Sequence, residues 1–328
     1  ANGTDTSGSL TISLEQDGDL GTGKNLGGID SADGFQNYAD IGIDILGAQD
    51  RSLIGTIFGI RCGTYDVPAK TSFDNEGSIK IIIDNGSLDS GEWANAYGMV
   101  IYGAGMENNG DIDISVTTTN GQAYGLRGTS ISEQWVNGQD GMIHAEVLAY
   151  GGNIDGTISL SRWSNHSNAF SIVGGKDIHV LNCGTMELKA TNKGKNGTYE
   201  HAIGLEMDGS GSVTLDNQGD LTASGLEGYS YGIDLLNYSG DATIINSGTI
   251  TADATTDGHD LYGGGNAAGT GICINLENSG KQQFTSLQLE PGSTLIASAS
   301  ASEDVDGIDV DKAEAHCQAI QLQKLYYD

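Results

Sequence analysis

Apolar and polar residues alternate in short runs along this chain, and the runs break repeatedly at an asparagine followed by a glycine. Residues 213–223 read VTLDNQGDLTA, 242–252 ATIINSGTITA, 73–83 FDNEGSIKIII, 105–116 GMENNGDIDISV and 180–190 VLNCGTMELKA. The shared core is Asn-x-Gly, seen at Asn75/Gly77, Asn108/Gly110, Asn182/Gly184, Asn217/Gly219 and Asn246/Gly248. Gln139-Asp140-Gly141-Met142-Ile143 reads as a related unit without the asparagine. Asn and Gly tolerate positive φ, so each pair punctuates a strand with a bend. After the bend, residues such as Ile79/Ile81, Ile112/Ile114 and Ile250/Ala252 alternate with polar ones, the period-two signature of a strand with one apolar face.

A second unit precedes each of these: YGMVIY at 97–102, AYGLRG at 123–128, AIGLEM at 202–207, YGIDLL at 231–236 and TGICIN at 270–275, with earlier copies at 39–46 and 58–63. A Ser-Gly turn follows three copies, at Ser210-Gly211, Ser239-Gly240 and Ser279-Gly280. The repeat is therefore strand, turn, strand, bend, strand, and its bend glycine recurs at 77, 110, 141, 184, 219, 248 and 292. That pattern predicts an all-β right-handed parallel β-helix with roughly thirty residues per rung and about ten rungs. Period-two alternation excludes a helical solenoid, and a two-sheet sandwich would show hairpin turns at shorter spacing. Stacked asparagines are expected to hydrogen-bond from rung to rung. The prediction is one solenoid over residues 1–328, with extra residues leaving the stack as loops near 157–170 and 253–269. Both ends fall inside a repeat, which reads as a fragment of a longer chain.

Composition agrees with a solenoid. Of 328 residues, 51 are Gly, 2 are Pro and 6% are aromatic, too few aromatics for a globular core of this size. The net charge of −30 argues against a nucleic-acid partner and against anionic lipid headgroups, and favours solubility or calcium binding. No run of roughly eighteen apolar residues exists to cross a membrane as a helix. The four cysteines, Cys62, Cys183, Cys273 and Cys317, lack metal-site spacing and read as buried free thiols.

The Asn-x-Gly-x-Ile units, such as Asn246-Ser247-Gly248-Thr249-Ile250 and Asn75-Glu76-Gly77-Ser78-Ile79, resemble those of autotransporter (type V secretion) passenger domains, the adhesin and haemagglutinin-like β-helices. The resemblance spans nearly the whole chain. It implies a Gram-negative outer-membrane β-barrel downstream and a place at the cell surface or in the medium. It implies an adhesin-like binding role, on a host protein or glycan, rather than an enzyme. The alternatives are a polysaccharide-processing β-helix (lyase or glycosidase) and a structural stalk. Against the former, the four arginines are scattered over different rungs and the acids are spread evenly.

Candidate ligand-binding residues are Trp163, His166, His259 and Tyr262, all in or beside the two insertions. The acidic run that contains Asp304, Asp306, Asp309 and Asp311 offers oxygen ligands without EF-hand spacing, so calcium is the one cofactor the sequence raises. Asp208-Gly209-Ser210-Gly211 carries no triad partners, and the three tryptophans, Trp93, Trp135 and Trp163, are placed in connections.

Overall fold

A computed structural model describes residues 8–15, 25–47, 55–85, 94–118, 122–129, 134–149, 166–193, 201–227, 229–237, 240–256, 266–277, 285–301 and 314–325. The chain opens with β1 (Ser9–Glu15), β2 (Asn25–Ser31) and β3 (Gln36–Asn37), and each further coil repeats that trio. The next are β4 (Asp40–Leu46), β5 (Gly55–Cys62), β6 (Phe73–Asn75), and β7 (Ser78–Asn85), β8 (Ala94–Tyr102), β9 (Met106–Asn108). Then come β10 (Asp111–Thr118), β11 (Ala123–Thr129), β12 (Trp135–Asn137), and β13 (Met142–Ala149), β14 (His166–Gly175), β15 (Ile178–Asn182). The later coils are β16 (Thr185–Asn192), β17 (His201–Gly209), β18 (Val213–Asn217), and β19 (Asp220–Leu226), β20 (Tyr229–Asn237), β21 (Ala242–Asn246). The last strands are β22 (Thr249–Thr256), β23 (Asn266–Glu277), β24 (Thr285–Leu289), β25 (Thr294–Ala301) and β26 (Glu314–Leu325).

Every third strand pairs in parallel. Sheet A holds nine strands from β1 to β25, sheet B nine from β2 to β26, and sheet C eight from β3 to β24. The fold is a right-handed parallel β-helix, the hand that parallel crossovers favour. At about 4.8 Å per coil the stack extends on the order of 40 Å.

Register explains why the bend residues recur. Each Asn-x-Gly closes sheet C, and the next residue opens sheet A. Asn37, Asn75, Asn108, Asn137, Asn182, Asn217 and Asn246 stand one above another inside the stack, all buried. Each Nδ2 donates to the Oδ1 of the next at 2.7–2.8 Å. The second proton goes to a backbone carbonyl, as from Asn217 to Thr249 O at 3.0 Å. The sequence separations between neighbours are 38, 33, 29, 45, 35 and 29, so coil length varies while the ladder does not. One expectation is corrected here. The unit at Gly141 does have its asparagine. It is Asn137, set four residues before the glycine rather than two, with its amide on Gly141 O at 3.1 Å.

The interior is built of aligned columns. On sheet A, Ile41, Ile79, Ile112, Ile143, Met186, Leu221, Ile250 and Leu295 form one column. The next reads Ile43, Ile81, Ile114, Ala145, Leu188, Ala223, Ala252 and Ala297, so the side chains shrink along the rod. Sheet B answers with a glycine column. A Cβ on Gly59 would lie 2.5 Å from the Ile81 side chain, whereas one on Gly232 would lie 2.7 Å from the Asp253 backbone nitrogen. Sheets A and B are thus spaced by an isoleucine in the early coils and meet backbone to backbone in the later ones. Trp135 and Phe170 pack edge to face in the core with ring centroids 5.4 Å apart. Trp135 therefore lies in a strand and points inward, against its placement in a connection. Its side chain is larger than the Met106 and Val180 that flank it in the sheet C column.

The ladder gives a graded stability prediction. Asn182→Leu removes both amide bonds of a central member and strands the Asn217 carbonyl; it should cost about 3 kcal/mol. Asn246→Leu sits at the ladder's end, where Leu289 already occupies the equivalent place in the next coil, and should cost about 1 kcal/mol. Urea titration of both variants checks this: equal midpoints would refute a cooperative ladder.

Candidate functional site

Most of the predicted site residues lie outside the described residues. That holds for Trp163, His259 and Tyr262, and for Asp304, Asp306, Asp309 and Asp311. His166 begins β14, and its backbone is paired with His201. The structure corrects the bounds of the two proposed insertions: residues 166–170 belong to β14, 253–256 to β22 and 266–269 to β23, and the rest of both lies outside the described residues. Two other places carry chemistry.

The first is the outer face of sheet B. Outward positions on a single-walled coil face water unless something covers them, yet here Tyr124, Asn168, Ser171, Ile203 and Cys273 are buried. Around them Tyr97, Arg127, His201, Glu206, Asp208, Tyr231 and Asp234 are half-buried. Register sets the order along the stack: Arg127, Ser171, Glu206, Asp234 and Cys273 form one column, and Tyr97, Tyr124, Asn168, Ile203 and Tyr231 the neighbouring one. Tyr97 and Tyr124 stack at 5.1 Å between centroids, with the Arg127 guanidinium 4.1 Å over the Tyr124 ring. His201 and Tyr231 stack at 6.1 Å. Between these aromatic pairs, Glu206 Oε2 accepts from Asn168 Nδ2 at 2.7 Å and from Ser171 Oγ at 2.5 Å.

Desolvation pushes Asp234 well above the usual carboxylate range, to about 7, and the negative charges of Glu206 and then Asp208 add to it, against a Cys273 hydrogen bond that lowers it. Register places Glu206 and Asp234 on neighbouring strands, whose backbones lie about 4.8 Å apart.

The second place is the connection between β5 and β6. Gly63, with φ of 68°, turns the chain outward. Thr64 and Val67 close a tight turn, Thr64 N donating to Val67 O and Val67 N to Thr64 Oγ1. Asp33, one coil earlier, clamps its far side by accepting from the backbone nitrogens of Lys70 at 2.6 Å and Thr71 at 2.8 Å. The backbone donors of Thr71, Lys70 and Gly34 hold the Asp33 carboxyl down to about 2. At the tip of this fixed loop, Tyr65 and Val67 are 79% and 59% exposed. The sequence reading missed both places. The loop's signal was the Gly63 turn and Pro68; the sheet B face shows only once register aligns residues about thirty apart.

Among the described residues no group of three His, Cys, Asp or Glu converges as a metal site. Cys62 and Cys273 are buried free thiols, as expected, whereas Cys183 sits half-exposed in a bend, which corrects its assignment to the core. Cys273 is level with Gln321, and Cys317 with Gly269, so Cys273 and Cys317 are out of register. No known protein family, no curated protein and no solved structure matches the chain.

Two predictions follow from these environments. Burial pushes the Cys62 thiol up to about 12, so it stays a thiol at neutral pH. Alkylation of the native protein followed by mass spectrometry should find Cys183 modified while Cys62 and Cys273 stay protected until denaturant is added. The raised Asp234 acid has the opposite sign from an ion-paired carboxylate. Below about pH 4 it is protonated folded or unfolded and costs nothing; stability then falls as pH rises towards 7. Asp234→Asn should therefore melt about 5 °C above the parent at pH 8 and at the same temperature as the parent at pH 4; a pH-independent difference would contradict the desolvation argument.

Proposed function

We propose that this chain is a bacterial surface or secreted passenger that binds rather than catalyses: a rigid rod presenting adhesive loops to a host or matrix ligand. The reading joins the autotransporter resemblance of the repeats to one structural observation. The loop after Gly63 is pinned at both ends by hydrogen bonds yet leaves Tyr65 and Val67 in water, on a chain whose net charge is −30. Large side chains left exposed on an ordered loop are the form that partner-anchoring residues take. The surrounding negative charge keeps such rods apart from one another, so the apolar tip does not become a site of self-association. Insertions near 157–170 and 253–269 would serve the same role on other coils.

The double variant Tyr65→Ser/Val67→Ser tests this. Neither side chain is in the core, so the melting temperature should not move. Adhesion of the purified protein to matrix-coated surfaces or epithelial cells should fall at least five-fold. Undiminished adhesion would remove this loop from the binding surface, and no adhesion by the parent protein would sink the adhesin reading itself.

A further inference from the structure

The loop after Gly63 is tied to the coils on both sides of its own. From the coil before, Asp33 Oδ1 accepts from the backbone nitrogens of Gly34, Lys70 and Thr71 at 2.9, 2.6 and 2.8 Å, and from Thr71 Oγ1 at 3.1 Å. From the coil after, Tyr102 O accepts from Ala69 N at 2.8 Å. Gly103 beside it, with φ of 87°, makes the room: a Cβ there would lie 2.4 Å from Pro68 Cβ. Asp33 belongs neither to the asparagine ladder nor to the hydrophobic core. What it holds in place is the loop.

The same bonds decide what the loop can show to a partner. The backbone nitrogens of Thr64, Val67, Ala69, Lys70 and Thr71 are all spent on the protein itself. So are the hydroxyls of Thr64 and Thr71. At the tip, Tyr65, Asp66, Val67 and Pro68 stand exposed in succession. The display is one ring and two aliphatic groups, with the charges of Asp66 and Lys70 beside them. A glycan fits this poorly, because sugar hydroxyls covered by groups that cannot pair with them are costly to desolvate. An apolar cleft on a folded protein fits it well: it takes an aromatic and an aliphatic anchor and leaves the charges at a wet rim.

We propose that the loop over residues 63–71 docks into an apolar cleft of a folded partner protein, with Tyr65 and Val67 as its two anchors and Asp33 as the positioning residue that holds them in the binding arrangement. The proposal rests on the binding reading above and narrows its ligand to protein. A loop already ordered when free loses less conformational entropy on docking, and that is what Asp33 contributes.

Adhesion of the whole chain to epithelial cells and to matrix-coated surfaces tests it, each surface used untreated, oxidised with periodate or digested with trypsin. Adhesion should survive periodate, which destroys sugar rings, and be lost after trypsin. Asp33→Ala should adhere at least five-fold less than the parent, and its Val67, Lys70 and Thr71 amide protons should exchange with solvent faster. Both are measured below the melting temperature of the variant, so an early melt leaves the test intact. Asp33→Asn keeps an Oδ1 acceptor and should adhere within two-fold of the parent. Adhesion abolished by periodate would leave the adhesive rod standing and overturn the protein partner. Asp33→Ala adhering like the parent, or losing adhesion with its loop exchange unchanged, would overturn the role of Asp33. No adhesion by the parent to any untreated surface sinks the binding reading, and this proposal with it.

Discussion

Stacking like upon like is the constraint from which the rest of this molecule follows. In a parallel coil each residue lies directly against its counterpart one turn away, about 4.8 Å distant. A side chain must therefore be compatible with a copy of itself. Asparagine meets that demand inside a low-dielectric core because its amide donates at one end and accepts at the other, so a column of them satisfies itself. The ladder from Asn37 to Asn246 is that solution repeated seven times. It also explains how the coils tolerate lengths that differ by as much as sixteen residues: the ladder fixes where a coil closes, and surplus chain must leave elsewhere.

The same constraint shapes the hydrophobic interior. Isoleucine on isoleucine packs well, and columns of it fill the early coils. Towards the later coils the inner positions of sheet A shrink to alanine and, at Gly225, to no side chain at all. The glycines of sheet B make this possible, since a Cβ at Gly204 or Gly232 would strike the backbone of sheet A. Two columns with opposite sequence preferences thus set one distance between two sheets. Changing either alone would leave a cavity or a clash.

How much of this was legible from the chain depends on whether a feature is local. The bend residues and the period-two strands are local, and they gave the solenoid, the strand order within a coil and the asparagine stacking. Asn137 escaped because two extra residues, Gln139 and Asp140, separate it from its glycine; only the hydrogen bonds to Asn108 and Asn182 identify it. Trp135 was misplaced because its strand, β12, is only three residues long and is identified by its pairing with β9 and β15, which no neighbouring residue announces. Cys183 was assigned to the core by residue type, while its position in a bend turns it outward. The sheet B face was the least legible, because register across β11, β14, β17, β20 and β23 brings its members together, while any one strand shows only a few of them, such as Asn168 and Ser171.

Stacking also sharpens what a departure means. A column that repeats every coil would set like charges side by side, and the outer faces avoid this. Lys80 meets Asp113, Lys189 meets Glu146 and Asp30 meets Arg61. These exposed pairs add little stability each, but they prevent repulsion along the stack. Among the paired strands two carboxyl neighbours break the pattern. Asp74 and Glu107 do so at the surface, where Glu107 is in water and Ser72 and Gln36 donate to Asp74. Glu206 and Asp234 do so on the half-buried outer face of sheet B, where screening is weaker than at the open surface. Nothing in the fold requires carboxyls there: the equivalent positions one coil further out, Ser171 and Cys273, are filled by small, uncharged groups. Of the two acid pairs, only this one lies where its side chains are half-buried together. Local conflict of this kind, confined to one face of an otherwise consistent stack, is where function rather than folding sets the residue.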